Sequence, residues 1–159
     1  MHKRVRRHRS ARLADALTRV GSVLVHGRSA GTLHATVARM RVSFLAAQRP
    51  LLFSGTVYRG LVVADPRDIA VMKVVAIGGR GSRKDFVDLY FILRAGGSLE
   101  SVFEMVRRRF KGIDFNEYHL LKALVFFEDA ETEPMPKMLR RAAWSEVKKA
   151  IIAEVRRLA

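Results

Sequence analysis

The stretch RGSRKDFVDLY, residues 80–90, sets five charged side chains and one glycine ahead of an apolar run. Lys84, Asp85 and Asp88 are the side chains with chemical potential. A carboxylate can take a proton or hold a cation, and a lysine or arginine beside it can hold a phosphate. Twelve residues before Asp85 stands Lys73, within DIAVMK (68–73). The same residues also have a plain structural use. Lys73 and Asp85 on consecutive helices form an ion pair, Asp85 near a helix start gains from the helix dipole, and Asp88 pairs with Lys84 at i, i+4.

The elements that must position these groups are legible around them. In DPRDIAVMKVVAIGG, Asp65 is a helix cap, Pro66 suits the first helical position and Asp68 follows three residues after the cap; Gly78 and Gly79 end the helix. A second helix runs from about Arg83 to Arg94 and stops at Gly96-Gly97, with Phe86, Leu89, Tyr90 and Leu93 as its apolar stripe. Ser98 caps a third, in which Leu99, Val102, Phe103, Val106 and Phe110 recur at helical spacing. Asp114-x-x-Glu117 reads as an acidic capping box for a fourth. After the proline linker TEPMPK, a last helix spans about Ser145 to Leu158.

Upstream the pattern changes. Leu13, Leu17, Val20 and Leu24 predict a helix over 10–26, which GRSAG breaks. TVARMRVSFL alternates, with Met40, Val42 and Phe44 on one face, and reads as a half-buried strand; TVYRGLVVAD reads as another short one. The fold class expected is α+β: a remnant of a sheet, then a helical C-terminal region. The domain reading is a basic tail at 1–12, a partial α/β core at 13–64 and a helical region at 65–159.

Charge divides the chain the same way. Of a formal net charge of +15, residues 1–50 hold eleven Lys/Arg and a single acid, Asp15; the rest hold nineteen Lys/Arg against fourteen acids. Such a field attracts polyanions, nucleic acid above all, although charge sets affinity and not specificity. There is no cysteine, so disulfides and thiolate metal sites are excluded. Histidines 2, 8, 26, 34 and 119 show no ligand spacing. No apolar run approaches the ~20 residues of a membrane span, and the basic start lacks a signal-peptide apolar segment. The expectation is a cytoplasmic protein with no membrane partner.

Asp68-Ile-Ala-x-Met-Lys73 followed by Arg80-Gly-x-x-Lys84-Asp85-Phe-x-Asp88-Leu-Tyr resembles the C-terminal half of the AbiEii/AbiGii-type nucleotidyltransferase toxins of bacterial abortive-infection and toxin–antitoxin systems. The resemblance takes in RVSFLAAQRPLL (41–52), KALVFFEDAE (122–131) and the helix after Trp144, about 38–158 in all. It implies a nucleotidyltransferase fold, Mg²⁺–NTP as donor, RNA such as tRNA as acceptor, and a cognate antitoxin. By this resemblance Lys73 is the triphosphate cation, Asp85 the late carboxylate that takes the proton in catalysis, and Arg80 and Lys84 lie near phosphate or RNA. Asp68 and Asp88 orient. The family's metal carboxylates come from an Asp-x-Asp that follows an early Gly-Ser or Gly-Gly turn. Here Gly21-Ser22 is followed by Thr-Leu-His-Ala-Thr (32–36), and no acid occurs from residue 16 to residue 64. No metal ligand is therefore assigned. The expectation is a truncated member of the family, transferring nucleotides from NTP to RNA if its site is complete. The alternative is a catalytically inactive module that binds RNA or the antitoxin.

Overall fold

The computed structural model describes residues 12–46, 49–113 and 115–158, in two compact units, Met1–Arg49 and Pro50–Ala159. In the first unit, residues 12–17 are helical. Strands β1 (Val23–Ser29), β2 (Thr32–Val37) and β3 (Met40–Leu45) then form an antiparallel sheet in the order β1-β2-β3. The helix expected to reach residue 26 thus stops short, and Leu24 belongs to a strand. Gly21-Ser22 interrupts the helical spacing, and Val23 and Val25 carry the β-branching that favours a pleated surface.

The alternating segment 36–45 is a hairpin rather than one strand. Ala38 and Arg39 form its two-residue turn, with φ of 46° and 71°. These are left-handed values that Asn-Gly usually supplies in such turns. Met40, Val42 and Phe44 do share a face, opposite Val37, Ala35 and Leu33. Leu33, Ala35 and Val37 are buried, whereas Thr32, His34 and Thr36 point the other way. A bulge at His26 breaks the register between β1 and β2.

The second unit begins with another hairpin where one strand was expected: β4 (Thr56–Tyr58) and β5 (Leu61–Val63), turning at Arg59-Gly60. Its helices are α1 (Pro66–Arg80), α2 (Arg83–Arg94), α3 (Leu99–Arg109), α4 (Glu117–Val125), the short α5 (Glu128–Glu131) and α6 (Trp144–Leu158). Asp65 caps α1 through the Arg67 amide, and the helix runs past Gly78-Gly79 to a left-handed cap at Gly81. Ser98 caps α3 by accepting from the Ser101 amide. α4 is capped by Asn116, which accepts from the His119 amide. The capping box assigned from Asp114 is thereby corrected, and Asp114 itself lies outside the described residues.

The core of this unit is one cluster from all the longer helices. Val71 and Val74, Phe86 and Leu89, Val102, Phe103 and Val106, Leu124, and Val147 and Ile151 are buried in it. Phe86 sits among Phe127 and Trp144, with ring centroids 5.1 and 5.9 Å away. Full burial of one such side chain stabilises by about 1.5–3 kcal/mol. Sheet and helical region together make the fold α+β. Among the described residues no helix is long and apolar enough to cross a membrane.

Candidate functional site

Lys73 and Arg80 lie seven residues apart on α1, two turns along one face. Asp85 and Asp88 lie three apart on α2, again on one face. The core residues that lock α1 against α2 bring these four side chains together. Lys73 Nζ donates to Asp85 Oδ1 at 2.8 Å and reaches Asp88 Oδ2 at 2.6 Å. Arg80 donates from Nε and a terminal nitrogen to Asp85 Oδ2, at 3.1 and 2.9 Å. The Asp85 side chain is 1% exposed, while Arg80 remains 61% exposed.

Burial pushes the Asp85 carboxyl up, but the hydrogen bonds from Lys73 and Arg80 outweigh it and hold the group below the usual carboxylate range. Burial likewise pushes Lys73 down, and the bonds to Asp85 and Asp88 more than reverse it. Asp85 and Lys73 therefore both stay charged at neutral pH. Asp85 in this state is a weak base, because each oxygen already accepts from a cation. Arg80, the more exposed partner, is the one that a phosphate can draw away.

Asp88 pairs with Lys73 and not with Lys84 as the i, i+4 spacing implied. Lys84 is exposed and stands outside the cluster. Asp68 is fully buried and organises the entry to α1. Its two oxygens accept from the Leu52 and Phe53 amides at 2.9 and 3.0 Å, and Arg109 approaches at 3.4 Å.

Two supports were invisible in the local spacing. Glu133 accepts from the Ser82 hydroxyl and the Arg83 amide, both at 2.8 Å, and so caps α2 from fifty residues away. Arg83 donates to the Ala130 and Glu131 carbonyls and lies over the Trp144 ring at 4.8 Å. Beside Arg80 a hollow of about 300 Å³ opens, lined by Gly79, His119, Lys122, Phe126 and Asp129 among others.

Residues 33–157 match the family described as "Nucleotidyl transferase AbiEii toxin, Type IV TA system". The chain is also 37% identical over 126 residues to an uncharacterized protein of Aquifex aeolicus (strain VF5), covering 77% of this chain and 59% of that protein. It thus spans less than two thirds of that relative's length. No solved structure matches. Nucleotidyl transfer implies Mg²⁺ on the phosphates, normally between carboxylates. The four-residue cluster does not fit that ion: both Asp85 oxygens and one Asp88 oxygen already face cations. No group of three His, Asp or Glu side chains converges among the described residues.

Proposed function

The chain belongs to the AbiEii nucleotidyl transferase toxin family, and from that premise we propose that Lys73 and Arg80 are the phosphate-facing cations of an NTP-to-RNA transfer site. The observation that carries this reading is the cluster itself. Two cations on α1 are held at a fixed place by two carboxylates on α2, within the family's motif. Cations stored on carboxylates are pre-positioned for a stronger anion. A triphosphate meeting Arg80 and Lys73 exchanges one ionic partner for another and adds charge-assisted hydrogen bonds. Release of Arg80 would also free an Asp85 oxygen and raise that carboxyl toward a useful base. The hollow beside Arg80, with Lys122 and Phe126, offers a cation and an aromatic face to the nucleotide or its acceptor.

In this reading the metal carboxylates are not among residues 16–64, which contain no acid. The 159 residues on their own bind RNA or a cognate antitoxin and do not transfer nucleotides. The test is incubation of the chain with labelled NTP, Mg²⁺ and RNA. No labelled RNA is expected. Label transfer that Lys73→Ala abolishes would overturn the inactive half of the proposal and establish the enzymatic half.

A further inference from the structure

The solvent face of the β1-β2-β3 sheet carries a second set of polar groups. His26, at the bulge in β1, shares a 2.7 Å hydrogen bond between its Nε2 and Thr36 Oγ1. His34 shares one of 2.8 Å between its Nδ1 and Ser43 Oγ. Arg41 stands opposite Thr36, and Ser43 opposite His34, so a row of imidazole, hydroxyl and guanidinium adjoins a second row of imidazole and hydroxyl. A hollow of about 350 Å³ lies here, lined in part by His26, His34, Arg41 and Ser43. Leu24 and Leu45, on the same face, are 64% and 69% exposed.

Three features select the ligand. Each imidazole is oriented by a neutral hydroxyl, which fixes the ring without adding negative charge, and the second ring nitrogen is left for a ligand. No carboxylate occurs in the sequence from residue 16 to residue 64, so nothing local competes with an anion for Arg41. The face is an antiparallel sheet offering imidazole rings, a guanidinium and exposed leucines. A single-stranded nucleic acid presents matching groups: phosphates for the cation, and unstacked bases for imidazole, guanidinium and apolar surface. A duplex hides its base faces and makes no use of the rings and leucines.

We infer that this sheet face, centred on His26, His34 and Arg41, binds single-stranded RNA. The inference rests on the reading of RNA as the acceptor and assigns that acceptor a surface of its own.

The test is fluorescence anisotropy of a labelled single-stranded RNA of about 12 nucleotides, titrated with the full chain at several salt concentrations. The combined variant His26→Ala, His34→Ala, Arg41→Ala is expected to bind about tenfold more weakly, from the loss of stacking and phosphate contacts together. Arg41→Ala alone is expected to lose about threefold and to lower the salt slope by about one. Arg141→Ala, an equal loss of charge in the other unit, should leave affinity within about twofold. If the combined variant changes the circular dichroism spectrum, the Arg41 and Arg141 pair decides alone.

Equal losses for Arg41→Ala and Arg141→Ala would reduce the binding to net charge and overturn the inference. So would polyglutamate displacing the RNA at equal charge, which would point to an acidic protein instead. RNA binding kept by the combined variant but lost in Arg80→Ala overturns this surface and leaves the acceptor reading standing. No RNA binding by the unaltered chain overturns both.

Discussion

In the helical unit, the buried carboxylates are met by groups of the same unit: Asp85 by Lys73 and Arg80, Asp68 by two backbone amides and Arg109. In the sheet unit the only acid in the sequence is Asp15, and His26 and His34 on the exposed sheet face are met by hydroxyls. A carboxylate is buried at a large desolvation cost and stays only when cations or amides surround it. The helical unit therefore commits Lys73, Arg80 and Arg109 to its own buried carboxylates. The sheet unit carries eleven Lys/Arg in its sequence against that single acid, an excess of positive charge that favours an external anion. One unit has the form of a charge-balanced site and the other of a docking surface.

The contrast can be broken most severely at Asp68. Asp68→Ala removes the acceptor of the Leu52 and Phe53 amides, and one ion-pair partner of Arg109, in a fully buried place. A loss of about 3–5 kcal/mol is expected, read from the urea midpoint. A loss below about 1 kcal/mol would show that the buried carboxylate is dispensable.

Asp85→Asn has a smaller effect at neutral pH, about 2 kcal/mol, because the amide keeps an acceptor for one cation. Its sharper signature is in acid. The folded-state value of Asp85 is held below its unfolded value of about 3.9. The unfolded chain therefore binds the proton first as pH falls. The stability Asp85 contributes is present above about pH 4 and is lost as pH drops through the folded value. The unaltered chain should lose stability over that window, and Asp85→Asn should lose less. Parallel acid unfolding curves would remove Asp85 from the account.

The mildest test lies in the sheet unit. Arg39 occupies a left-handed turn position at φ 71°. Arg39→Gly removes a backbone penalty of about 1 kcal/mol and should raise the thermal midpoint. A fall would mean that the Arg39 side chain contributes more than its backbone strain takes away.

What was legible in the sequence follows the range of the interactions. α1 and α2 could be read because Asp65-Pro66, Asp85 near a helix start and the glycines that follow each helix are local signals. The apolar stripe of α3 was legible for the same reason, and its Leu99, Val102, Phe103 and Val106 are buried. The β2–β3 hairpin was not, because Ala38-Arg39 lacks the glycine or asparagine that announces such a turn. The helix spacing of Leu13 to Leu24 ran across a real break at Gly21. At the candidate site, Lys73 and Asp85 were found through their motif. The pairing of Asp88 with Lys73 depends on how α1 packs on α2, and the Glu133 cap on a chain segment fifty residues distant. No local pattern encodes either contact.

Whether these 159 residues transfer nucleotides is read most directly from label passing from NTP to RNA with the full chain and Mg²⁺, run beside Lys73→Ala and Arg80→Ala. No product is expected from any of the three proteins. Product from the unaltered chain that disappears in Lys73→Ala would contradict the inactive reading of these 159 residues and establish Lys73 as part of a working transfer site.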